Sequence, residues 1–103
     1  MFVKVYQYHI QPEKEDAYLK IQEKASEIYS RYVDAETFYL QSIGDNSKWM
    51  EITRYKSEVE YQRSINLINE EEEIQELFKE FQGLLFSGKE EITEEDFIEK
   101  KVK

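Results

Sequence analysis

Residues 2–10 alternate strictly in character, yet neither of the two faces they would form is polar. Successive side chains of a strand point to opposite sides of its sheet. Phe2, Lys4, Tyr6, Tyr8 and Ile10 therefore share one face, and Val3, Val5, Gln7 and His9 the other. A strand that is apolar or aromatic on both sides belongs in the middle of a sheet that is covered on both sides. A chain of 103 residues has room for one domain and one core, and buries only about two-thirds of its unfolded surface. A second copy of the chain is thus a useful source of cover.

The other elements follow from spacing. Pro12 opens a helix, since a missing N–H costs nothing at the first helical position. Glu13, Glu15 and Asp16 suit the positive end of its dipole. Tyr18, Ile21, Ala25, Ile28 and Tyr32 then recur every three or four residues as one apolar stripe. Strands are expected over 37–43 and 48–56, joined by the turn-forming run Gly44, Asp45, Asn46 and Ser47. On the later strand Trp49, Glu51, Thr53 and Tyr55 share one face; Met50, Ile52 and Arg54 share the other. Met50 and Ile52 read as the helix-packed face, with Trp49 and Tyr55 lining a face of mixed polarity.

Ser57 with Glu60 has the spacing of a capping box and starts a second helix, with Tyr61, Ile65 and Ile68 on its stripe. Four adjacent acids, Glu70 to Glu73, predict a break there by mutual repulsion. Ile74, Leu77, Phe78, Phe81 and Leu85 resume the helical spacing, and Ser87 with Gly88 ends it. Residues 97–102 read as an edge strand guarded by Lys100 and Lys101, with a capped helical turn at Thr93 to Asp96 as the alternative. The order β-α-β-β-α-β predicts an α+β, ferredoxin-like fold with a four-stranded antiparallel sheet and helices on one face. Two such sheets meeting across a two-fold axis would form a dimeric α+β barrel.

Composition excludes several functions. Acidic residues outnumber basic ones 23 to 14, for a net charge of −9 and no basic patch, so neither nucleic acid nor an anionic membrane surface is an expected partner. No apolar run approaches the ~20 residues that cross a bilayer. The start of the chain does not pattern as a signal peptide, which makes the cytoplasm the default compartment. There is no cysteine, hence no disulfide, thiolate metal site or thiol nucleophile. Three glycines provide no phosphate-binding loop.

The run from Trp49 to Glu58, Trp-Met-Glu-Ile-Thr-Arg-Tyr-Lys-Ser-Glu, followed by Tyr61, resembles the strand-to-helix signature of antibiotic biosynthesis monooxygenase-like domains of the dimeric α+β barrel superfamily. There an aromatic residue, commonly Trp, ends the strand, a Ser caps the helix and an aromatic follows. Tyr55, Ser57 and Tyr61 stand at those places. The resemblance covers nearly the whole chain and implies a homodimer with a small hydrophobic or aromatic ligand. It also implies oxidation without a bound cofactor, in which a phenol or quinol anion itself reacts with oxygen. Haem-degrading relatives carry an Asn on the first strand, a Trp ending the third and a His on the second helical segment. This chain has Tyr6 and Gln7, Tyr55 and no His beyond His9, and Ser64 stands nearest to a His that many members carry early in the second helix.

Candidate catalytic residues are Tyr55 and Arg54, for hydrogen bonding and charge stabilisation, and His9, the one imidazole, as base or axial haem ligand. Trp49, Tyr6, Tyr39 and Tyr61 are candidate substrate-binding residues. No metal site and no cofactor are expected, since a lone His and a run of acids do not make a ligand set. The plainer alternative assigns the aromatics to core and dimer interface. The corresponding functional alternative is a non-catalytic, stress-related dimer that binds a hydrophobic ligand such as haem.

Overall fold

The computed structural model describes residues 1–102. Four strands, β1 (Phe2–His9), β2 (Ala35–Gln41), β3 (Lys48–Tyr55) and β4 (Thr93–Ile98), form one antiparallel sheet in the order β2-β3-β1-β4. Helices α1 (Glu15–Ser30), α2 (Glu58–Asn69) and α3 (Glu72–Gln82) pack on one face of it. This is the ferredoxin-like α+β arrangement expected from the order of elements, with the two-sided strand β1 in the interior of the sheet.

Pro12 opens a short 3₁₀ turn (Pro12–Lys14), and α1 proper starts at Glu15. Tyr18, Ile21 and Ile28 form its buried stripe, whereas Tyr32 lies beyond the helix end and is exposed. The Ser57 side chain accepts a hydrogen bond from the Glu60 amide, as the capping box requires. The acidic run ends α2 at Asn69, and α3 begins at Glu72.

The sides of β3 are the reverse of the sequence expectation. Trp49, Thr53 and Tyr55 are buried beneath the helices, while Met50, Ile52 and Arg54 lie on the helix-free face. Both faces carry apolar side chains, so hydropathy alone did not say which one the helices cover. Ladder pairing places Val3 beside Arg54, Val5 beside Ile52 and Gln7 beside Met50 on that open face. Phe38, Leu40 and Phe97 complete it at 43%, 50% and 47% exposure, an unusually apolar surface for side chains left to solvent.

The last strand also falls earlier than 97–102: β4 spans Thr93–Ile98 along the outer edge of β1. Its position is set by Lys4, whose side chain is 5% exposed and whose ammonium lies 2.6 Å from Glu94 and 2.7 Å from Asp96. Burial alone would lower the Lys4 pKa. Hydrogen bonds to Asp96 and Glu94 outweigh it and hold the ammonium above its ordinary range. A raised lysine pKa contributes stability that is fully present below the ordinary value near 10.5, hence throughout the neutral range. Lys4→Met is expected to cost about 1–2 kcal/mol, discounted because both carboxylates remain half-exposed. The loss should be read as faster amide hydrogen exchange along β4, with β2 and β3 little changed.

Candidate functional site

Between the sheet and the three helices lies a cavity of about 420 Å³, within the usual range for small-molecule sites. Its floor is the inward face of the sheet. Tyr6 on β1 and Tyr39 on β2 are the cross-strand neighbours of Glu51 on β3, so one row across three strands reads Tyr-Glu-Tyr. Thr37 and Thr53 form the next row, their hydroxyls 3.0 Å apart. Tyr29 from α1, Tyr61 from α2 and Phe81 from α3 close the space above. Six of the eight tyrosines of the chain line it: Tyr6, Tyr8, Tyr29, Tyr39, Tyr55 and Tyr61.

Glu51 is the carboxylate of this cavity. Burial pushes its pKa above the ordinary carboxylate value, and the hydrogen bond from Tyr8 pulls only part of the way back. The Tyr8 hydroxyl donates to Glu51 Oε1 at 2.8 Å and lies 2.6 Å from the hydroxyl of buried Tyr18. Gln22 Nε2 approaches the same Oε1 at 3.4 Å. Both protein partners thus engage one carboxylate oxygen. No fully buried side-chain oxygen or nitrogen among the described residues lacks a partner, so Oε2, which has none, keeps some exposure, and Glu51 lines the cavity. Burial raises the tyrosine hydroxyls too, Tyr29 to about 12 and Tyr39 and Tyr55 further. These hydroxyls stay neutral, and among the described residues Glu51 is the one carboxyl that lines the cavity.

The residues singled out in the sequence divide between the two faces. Tyr6, Tyr39, Tyr55 and Tyr61 come together in the cavity wall, with the Tyr55 and Tyr61 rings 5.0 Å apart. Trp49 lies deeper, 5% exposed and 4.7 Å from the Tyr18 ring, in the core rather than on the wall. Arg54 is on the open face, held by Glu99 at 2.9 Å and Glu36 at 3.1 Å. His9 sits at the end of β1, its Nδ1 3.0 Å from Ser47 Oγ, away from the cavity. Ser64 is buried and its hydroxyl donates to the Glu60 and Tyr61 carbonyls inside α2. Glu51, Tyr8 and Gln22 were not singled out in the sequence. Their signal was the inward position of Glu51 between two tyrosines, which requires the strand register to be known.

A four-stranded antiparallel sheet with helices on one face and an aromatic cavity between the layers makes this a ferredoxin-like α+β domain. Comparison with solved structures gives the same fold. The chain superimposes on an uncharacterized NIPSNAP domain protein from Burkholderia xenovorans with a TM-score of 0.76 at 15% identity, over 97% of this chain and 95% of that one. An antibiotic biosynthesis monooxygenase matches at 0.69 and 13% identity, over 98% and 100% of the two chains. SnoaB, a cofactor-independent oxygenase from Streptomyces nogalater, matches at 0.73 and 8% identity, over 98% and 94%. At these identities the likeness is one of fold. No protein-family model matches the sequence, and no curated protein matches it. Among the described residues, no helix is long and apolar enough to cross a membrane, and no cluster of acids and histidines is arranged to hold a metal ion.

Proposed function

We infer that the cavity binds a small aromatic molecule bearing a hydroxyl group, of the phenol or quinol kind, and that Glu51 accepts its proton. The observation that carries this reading is a carboxyl of raised pKa that lines an aromatic cavity with one oxygen, Oε2, free of hydrogen bonds. A base is most effective when its pKa lies near the working pH, and burial moves a carboxyl in that direction. Removing the hydroxyl proton leaves an electron-rich aryloxide, the form that reacts with dissolved oxygen without a bound cofactor. Tyr6, Tyr39, Tyr55 and Tyr61 supply the stacking surface and neutral hydrogen-bond donors for that anion. The fold shared with a cofactor-independent oxygenase supports the same chemistry.

The test is oxygen uptake with 1,4-dihydroxynaphthalene, which gives naphthoquinone and hydrogen peroxide. Protein should accelerate uptake over buffer, and Glu51→Gln should remove about 100-fold or more of that acceleration, the usual weight of a general base. Saturable binding with no acceleration would leave a ligand-binding protein, the non-catalytic alternative.

The same reading includes a homodimer formed through the open sheet face. Its centre is apolar, from Val5, Ile52 and Phe38, and Arg54 with Glu36 and Glu99 marks its polar margin. Sedimentation at micromolar concentration should give twice the 12.5 kDa chain mass. Ile52→Glu, which would bury a charge at that centre, should shift the protein to the monomer without unfolding it.

A further inference from the structure

The charge of the cavity is one-sided. Its lining contains no Lys, Arg or His, and one carboxylate, Glu51, amid six tyrosines. A carboxylate- or phosphate-bearing ligand would bring a second negative charge beside Glu51 with no cationic side chain in the lining to offset it, which is unfavourable. A cation meets the opposite environment. Aromatic ring faces attract ammonium groups, and more so where water is excluded. Two of the lining rings already contact an ammonium outside the cavity: Lys4 Nζ lies 4.7 Å from the centre of the Tyr61 ring and 5.9 Å from that of Tyr6. Lys4 is itself committed to Glu94 and Asp96, two of the three acids of β4, and leaves Glu51 without a counter-ion. The net charge of −9 draws cations toward the protein over longer range.

We propose that the cavity is a binding site for organic cations, a protonated or quaternary amine carried on an aromatic ring, held between the Oε2 atom of Glu51 and the faces of the surrounding tyrosines. Part of the lining is aliphatic, from Ile21, Ile65, Ile74 and Leu77, and this side receives the hydrocarbon body of the ligand. Inorganic cations and small hydrated ammonium ions lack that body and are poor ligands. The proposal shares its cavity with the aromatic-ligand reading but requires no oxidation. In a protein that does oxidise quinols, such amines would be competitive inhibitors.

Phenyltrimethylammonium and its neutral carbon isostere tert-butylbenzene have the same shape and differ in charge. They are titrated separately into the intact protein at pH 8.5, with heat or Trp49 fluorescence as the readout. The cation should bind one per chain and at least about tenfold more tightly than the isostere. Glu51→Gln should cut that preference several-fold, to what the ring faces alone supply, while leaving the isostere unchanged. Glu73→Gln, an exposed acid outside the cavity, should keep it. Equal binding of the two probes, or a preference undiminished by Glu51→Gln, would overturn the cation site. Binding of the isostere alone would overturn it and leave the aromatic-ligand reading intact; binding of neither would overturn both.

Discussion

A chain carrying Tyr18→Ala should be largely unfolded at 37 °C. The Tyr18 ring is fully buried where the layers meet: 4.7 Å from Trp49, 5.9 Å from Tyr8 and 6.3 Å from Phe81. Truncating a buried aromatic costs about 3–5 kcal/mol, because the cavity left behind collapses only partly. The stability of a whole domain is about 5–15 kcal/mol, and a small chain lies at the low end. Tyr18→Phe separates packing from hydrogen bonding. It keeps the ring and removes only the hydroxyl that pairs with Tyr8, whose bond to Glu51 remains, so about 1 kcal/mol is expected. Urea denaturation of the two variants beside the parent protein checks both values. Near-equal losses would mean that the hydroxyl network, and not the aromatic packing, holds the layers together.

The second large effect has the opposite sign. Glu51→Gln should stabilise the protein at neutral pH. The folded pKa of Glu51 is raised, so the folded state holds a proton that the unfolded chain has released. Stability therefore falls as pH rises from the ordinary glutamate value near 4.3 through the folded value, and the cost is constant above it. The amide introduced by the substitution would carry no charge at any pH and could still accept the Tyr8 hydrogen bond. The advantage of the variant should shrink toward zero at pH 4 and reach a plateau at alkaline pH. The other acids are common to both proteins and cancel in the difference. Denaturation of both between pH 4 and pH 8.5 gives the curve; an advantage independent of pH would mean that burial does not raise this carboxyl. A carboxylate that weakens the fold yet sits at the centre of the sheet is the kind of cost that marks functional sites.

The elements that were legible in the sequence are those specified by local chemistry. The two-sided alternation of β1, the 18–28 stripe of α1, the Ser57 cap and the acidic break before α3 all depend on neighbours a few residues apart. What was misread depends on pairing across the sheet. The inward side of β3 could not be read from hydropathy because Met50 and Ile52 are as apolar as the buried side, and the register with Tyr6 and Tyr39 turns Glu51 inward. Likewise β4 looks like a solvated acidic segment until Lys4, ninety-two residues from Asp96, is set beside it. The candidate site was half legible for the same reason. Tyrosines announce a wall, and alternation sets Arg54 and His9 on the faces opposite Tyr55 and Tyr6, but it did not say which face the helices cover.

The measurement that most directly tests the cavity as the functional site is a methyl NMR titration of the intact protein with 2-naphthol. Saturable shifts should be confined to Ile21, Ile65, Ile74 and Leu77 around the cavity, and Glu51→Gln should weaken them. Shifts centred instead on Val3, Val5, Leu40 and Ile52 would put binding on the open sheet face and contradict the account.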